Sequence, residues 1–178
     1  GGLELWWRVK HRLHRKLQGF DVVAIHNPVF LSLKPRRCRY IFDRLKRENR
    51  SVFLTSLGTD TPYVEECLDP TSQLSYSEFR HFGQPAPYAL KHPETEKAWL
   101  APPLKPHCSH IYSNIDGAVA VLYEYYLAAK RMLPPDKYAY GGIPIDTDAI
   151  TPIFIPERPE KVRLFLGRHN YRMTIKGT

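Results

Sequence analysis

The stretch Phe20-Asp21-Val22-Val23-Ala24-Ile25-His26-Asn27-Pro28 decides how this chain is read. Val22 to Ile25 form a short apolar run without polar alternation, the pattern of a strand buried on both faces in a parallel sheet. The run stops at His26-Asn27-Pro28. Pro28 has no N–H to offer a sheet and steers Asn27 away from helical backbone, so the strand ends there. Open α/β sheets bind ligands in polar loops at the carboxyl ends of their strands. Ser51 to Asp60 and Ile115 to Glu124 repeat the same design.

Working outward, Pro35 opens a helix with Cys38, Ile41, Phe42 and Leu45 as its buried stripe, and Asn49 stops it. Ser51 to Thr55 is the second strand, with Leu57-Gly58-Thr59-Asp60-Thr61-Pro62 as the loop after it. Strand, helix and strand at this spacing predict a right-handed βαβ unit. Asp116 to Val121 is the third strand, and Tyr123 to Met132 a helix halted by Pro134 and Pro135. Lys137 to Ile143 is a weaker fourth strand, carrying Gly141 and Gly142. Residues 63–114 hold seven prolines from Pro70 to Pro106, which break any long element, and read as short helices and an irregular, substrate-facing excursion, with helical turns at Glu94–Leu100 and His110–Asn114.

Upstream, Leu5, Val9, Leu13 and Leu17 recur at helical spacing beside Trp6, and Gly19 ends that helix. It packs on the sheet or also rests on an anionic membrane surface. Downstream, Thr151 to Pro159 reads as a linker and Val162 to Leu166 as a fifth strand. The predicted class is α/β: a Rossmann-like, mostly parallel sheet with helices on both faces.

At 178 residues, the chain holds one full domain, or one plus a fragment. Hydrophobic content of 43% and charged content of 25% are those of an ordinary soluble protein. No apolar run reaches the roughly 20 residues needed to span a bilayer, and the start lacks the apolar core of a signal peptide. The expected setting is cytoplasmic. Cys38, Cys67 and Cys108 are odd in number and widely spaced, as reduced thiols are.

The net charge of +8 is concentrated at residues 8–16 and 34–50. Such patches attract phosphate on nucleic acid, lipid or nucleotide, or serve as solvated helix faces. His107-Cys108-Ser109-His110 offers ligand-type residues but no partner cluster elsewhere, so no metal is expected. Dinucleotide, P-loop, zincin and paired-cysteine motifs are absent. Gly58 permits a sharp turn or close ligand approach. Asp60 accepts a hydroxyl or caps the following helix. His26 is a base, a sugar partner or an ordinary loop histidine. Gly167, Arg168, Arg172 and Lys176 follow the fifth strand as a diphosphate cradle or an exposed basic tail.

Taken in order, these segments resemble bacterial GT-B glycosyltransferases of the large retaining class that includes glycosyltransferase family 4. Phe20 to Pro28 resembles the "yDvvhiHnp" strand. Gly142-Ile143-Pro144-Ile145-Asp146-Thr147 resembles "ipNGvDt", with proline replacing the usual Asn-Gly. Leu164 to Gly177 resembles "lfvGRl…KG". The resemblance implies an acceptor-side domain over residues 1–156 and the linker and first strand of a donor-binding domain over 157–178. It implies donor-diphosphate contacts from Lys176, Gly167 and one of Arg168 and Arg172. His26, Asn27, Gly58, Thr59 and Asp60 are the implied acceptor side. Its partners are a nucleotide-sugar, which is substrate and not cofactor, and a carbohydrate or lipid-linked acceptor, with peripheral contact at the inner membrane face left open. Nucleic acid is not expected. The family's glycine-rich first strand is expected upstream of or at Gly1-Gly2, and its paired glutamates beyond Thr178, so residues 1–178 alone are expected not to turn over. The competing readings are a basic α/β module docking on nucleic acid or anionic membrane, and a structural domain with no ligand.

Overall fold

The computed structural model describes residues 16–144 together with Asp146, Asp148, Ala149 and Thr151. The expected N-terminal helix up to residue 15, the linker beyond Thr151, the fifth strand and the 156/157 domain boundary lie outside the described residues.

Strand β1 (Val22–Ile25) leads through the His26 loop to helix α1 (Pro35–Glu48) and strand β2 (Ser51–Ser56). Helix α2 (Thr61–Leu68) follows, then a hairpin of β3 (Arg80–His81) and β4 (Gln84–Pro85). Helices α3 (Pro87–Lys91), α4 (Pro93–Leu100) and α5 (Leu104–Asn114) complete the long crossover to β5 (Gly117–Ala120). Helix α6 (Tyr123–Met132) and a 3₁₀ turn at Pro135–Lys137 lead to β6 (Tyr138–Tyr140).

β1, β2, β5 and β6 form a four-stranded sheet in that spatial order, and every pairing is parallel. Val23 lies opposite Val52, Leu54 opposite Ala118, and Ala118 opposite Tyr138. The fold is therefore the α/β class expected, a Rossmann-like parallel sheet flanked by helices. The fourth strand is shorter than predicted: Gly141 still donates to the Ala120 carbonyl at 2.9 Å, and left-handed backbone at Gly142 then breaks the run.

The described strands step one way across the sheet, and right-handed crossovers then stack on one side. Burial follows. Val52, Leu54 and Ser56 of β2 are buried, whereas Ser51, Phe53 and Thr55 are only partly so. α1, α5 and α6 add Phe42, Ile111 and Ala129 to the cluster around Ile25, Val52, Leu54 and Ala118. The expectation that Val22–Ile25 is buried on both faces is corrected: Val22 is 61% exposed and Ala24 is also exposed. β1 pairs only with β2 among the described strands, which leaves one edge without a described neighbour. Val22 and Ala24 share their face of the sheet with Phe53 and Val119, neither of which is buried.

The short helices expected within residues 63–114 are present, and α5 begins at Leu104, earlier than the expected His110. Pro62, Pro87 and Pro93 stand at the first or second position of their helices, and Pro106 stands in the first turn of α5. At those positions the missing N–H costs nothing, because a helix leaves its first amides unpaired anyway. A second cluster of Tyr63, Val64, Cys67, Phe79, Ala89 and Ala128 anchors the excursion to α6.

The carboxyl rim of the sheet as a candidate functional site

Parallel pairing brings the loops after β1, β2 and β5 to one edge. The strand order contains no reversal among the described residues, so the rim is a row of successive loops and not a switch-point crevice. Asn27 joins the first two loops. Its Nδ2 donates to the carbonyl oxygens of Leu57 at 3.3 Å and Thr59 at 3.0 Å, while its Oδ1 accepts from the Val29 N–H at 2.9 Å. The Leu57 N–H also donates to the His26 carbonyl. Asn27 is thus a staple, with its amide already committed.

Gly58 sits between those two carbonyls at φ +82°, in the left-handed region that suits glycine. Thr59 donates its hydroxyl to Glu78 at 3.0 Å, which brings the approach to the β3–β4 hairpin up to the rim. His26 is exposed at the end of β1. His26, Asn27, Gly58 and Thr59 are therefore brought together.

Asp60 is placed differently from its expected acceptor-side role. It is buried, with 4% exposure. One carboxylate oxygen accepts the Tyr63 N–H at 3.0 Å and caps α2. The other accepts the Tyr112 hydroxyl of α5 at 2.8 Å. Burial pushes its pKa up to about 6, although both hydrogen bonds pull the other way. The cap was one of the two roles legible in the sequence; Tyr112 carried no signal, being one aromatic among many. Asp60 holds the rim together from beneath.

The β1–α1 loop is also fastened to α5. His107 Nε2 lies 2.7 Å from the Pro28 carbonyl, so it carries the hydrogen and donates it. Burial lowers the pKa of His107, only partly offset by that hydrogen bond. Its neighbour His110 pairs instead with Asp43 of α1 at 2.6 Å. Among the described residues no group of three or more His, Cys, Asp or Glu side chains could hold a metal ion. Cys38, Cys67 and Cys108 are free and buried. Burial pushes their thiols up to about 11, 12 and 11, which removes them as nucleophiles at neutral pH.

At the opposite end of the sheet, Asp116 anchors the start of β5. Lys46 Nζ lies 2.6 Å from both of its oxygens, and the Val52 N–H donates to it at 2.7 Å. This pairing serves the sheet and not the rim.

Gly167, Arg168, Arg172 and Lys176 lie outside the described residues. No helix among the described residues is long and apolar enough to cross a membrane. No protein-family model matches the chain, nor does any curated protein or any solved structure.

Proposed function

We propose that this chain is the acceptor-side part of a retaining glycosyltransferase, which moves a sugar from a nucleotide-sugar to a carbohydrate or lipid-linked acceptor. The observation that carries the reading is the Asn27 staple, which sets the exposed His26 beside the Gly58-Thr59 turn on one rim of a parallel sheet. A sugar offers several hydroxyls at fixed spacing, and recognition of it needs fixed polar groups more than a deep apolar hole. His26 supplies a ring nitrogen, Thr59 a hydroxyl oriented by Glu78, and Gly58 a backbone free of side-chain bulk. Asp60 positions these groups and does not touch the acceptor. Lys176 with Arg168 or Arg172, and Gly167, would neutralise the departing nucleoside diphosphate, which lowers the barrier by stabilising leaving-group charge. A cytoplasmic setting, with peripheral contact at the inner membrane face, accords with a lipid-linked acceptor.

The test is a transfer assay on the protein that carries this chain, using labelled nucleoside diphosphate sugars with saccharide and polyprenyl-phosphate acceptors. Transfer with retained anomeric configuration, reduced about ten-fold or more in His26→Ala, is the expected result. Absence of transfer across the donor panel, together with absence of any glycan binding, would sink the proposal.

A further inference from the structure

Four tyrosines meet at the corner where the carboxyl rim turns onto the β6 edge. Tyr123 and Tyr126 lie one turn apart on α6, with ring centroids 5.8 Å apart and planes tilted by 25°. Tyr138 and Tyr140 come from β6. Tyr138 packs against Tyr126 at 5.4 Å, and Tyr140 stands edge-on to Tyr123 at 6.1 Å. Pairing of Ala118 with Tyr138 and of Ala120 with Tyr140 sets both β6 side chains on the face of the sheet that α6 covers. Tyr123 is 48% exposed and Tyr140 55% exposed, so the cluster has an open side. Rings held edge to face by one another lose little freedom when a ligand arrives.

The polar groups of the corner narrow the choice of ligand. Tyr123 donates its hydroxyl to Gln73 Oε1 at 2.9 Å, which fixes the ring. Gln73 Nε2 and the hydroxyls of Tyr126, Tyr138 and Tyr140 make no hydrogen bond with any described residue. An apolar partner laid over them would take their water and return nothing. Charge narrows it further. The chain carries +8 overall, yet residues 117–129 and 138–151, which supply this corner and the loop beyond it, hold Glu124, Asp146 and Asp148 and no Lys or Arg. Aromatic platforms for nucleic acid set cations beside the rings to meet the phosphates. The corner instead fits a neutral ligand with flat C–H faces and hydroxyl edges, and a saccharide has both.

We propose that this tyrosine corner is a saccharide-binding platform. Sugar rings stack on Tyr140 and Tyr123, and Gln73 with the remaining phenols bonds their hydroxyls. β1 and β6 stand three strand spacings apart along the rim, about 14 Å. A ligand that touches both His26 and Tyr140 is longer than one sugar ring. The acceptor is then a flat chain of several sugars and not a single sugar. That acceptor assignment rests on the sugar-transfer reading, whereas binding at the corner does not.

The experiment titrates the 178-residue chain, isotopically labelled at its tyrosine rings, with cellohexaose, xylohexaose and mannohexaose and with the matching disaccharides. The expected result is saturable shifts at Tyr123 and Tyr140 with at least one hexasaccharide, and weaker binding of its disaccharide. Affinity should fall about ten-fold or more in Tyr140→Ala and less than about three-fold in Tyr140→Phe, which keeps the ring. Tyr140 is exposed at the end of an edge strand, and unchanged β2 amide shifts check that the fold survives. Tyr40→Ala, which removes an exposed tyrosine from α1, should leave affinity unaltered. Saccharide binding at the corner without any sugar transfer supports the platform and removes its catalytic use. Transfer to a saccharide chain that survives Tyr140→Ala undiminished overturns the platform and leaves the transfer reading intact. Tyrosine rings silent across the panel, self-association through these rings in place of saccharide binding, or their stacking on oligothymidylate alone also overturns it.

Discussion

Tyr112 donates its hydroxyl to Asp60 across 2.8 Å, and this buried contact joins the start of α2 to α5 beneath the sheet's carboxyl rim. The other Asp60 oxygen is held by the Tyr63 N–H. Tyr112→Phe leaves a buried carboxylate oxygen without its donor, which costs about 1–3 kcal/mol. Asp60→Ala loses the helix cap as well and orphans the Tyr112 hydroxyl, so about 2–4 kcal/mol is expected. Chemical denaturation of both variants checks the order. A smaller loss for Asp60→Ala than for Tyr112→Phe would mean that the cap contributes nothing.

The pH dependence of stability follows from the same carboxyl. Asp60 titrates near 6 in the fold, against 3.8 for an unperturbed aspartate. Between those values the folded chain holds a proton that the unfolded chain has released. Its contribution is therefore fully present below pH 3.8 and is lost as the pH rises through about 6. His107 runs the other way, since its lowered pKa favours the fold as the pH rises. Asp69, pulled to about 2 by Thr71 and Arg131, adds stability above its ordinary 3.8 that is lost in stronger acid. Comparison with Asp60→Asn cancels those other groups. Wild type should gain on that variant by about 2 kcal/mol as the pH is lowered from about 7 to about 4. An unchanging difference across that range would contradict the assignment.

Asn27→Ala removes three hydrogen bonds between and within neighbouring loops in one step. A loss of about 1–3 kcal/mol is expected, with faster amide exchange at Val29. Exchange unaltered at Val29 would show that the loops hold their places without the staple.

Gly58→Ala puts a Cβ at φ +82°, where the nearest outside atom is Asn27 Nδ2 at 3.8 Å. The space is open, so the penalty is conformational, about 1–2 kcal/mol. Gly58→Asn should recover part of it, because asparagine tolerates left-handed backbone. Equal losses for the two would point to a clash and not to backbone strain.

His26 is exposed, so His26→Ala should leave the melting temperature within about two degrees while removing acceptor binding. A destabilised variant would mark His26 as part of the fold.

Much of this architecture was legible because the strands are short apolar runs with abrupt polar ends. Val52, Leu54 and Ala118 are central in the sheet, and their neighbours read correctly. β1 misled, since Val22 and Ala24 look as apolar as any buried pair. They lie on the face shared with Phe53 and Val119, which is not buried either, and composition does not encode which face of a sheet is covered. The prolines of residues 63–114 do break any long element, as expected, but α5 begins at Leu104 and not at His110. Proline breaks a helix interior but suits a first turn, and Pro87, Pro93 and Pro106, like Pro62 just before them, are all first-turn residues. At the rim, His26, Asn27, Gly58 and Thr59 were found as loop residues after strands. That Asn27 serves as a staple, and that Asp60 turns inward to Tyr112, depends on contacts between residues far apart in the chain. No local pattern reveals such contacts.

The most direct test of acceptor binding at the rim is a nuclear magnetic resonance map of the 178-residue chain titrated with a panel of glycans and nucleotide-sugars. An acceptor glycan should perturb the His26 ring and the Gly58 and Thr59 amides together, and His26→Ala should abolish the response. Glycans that leave those three residues silent, or that bind only at the amino-terminal edge of the sheet, would contradict it.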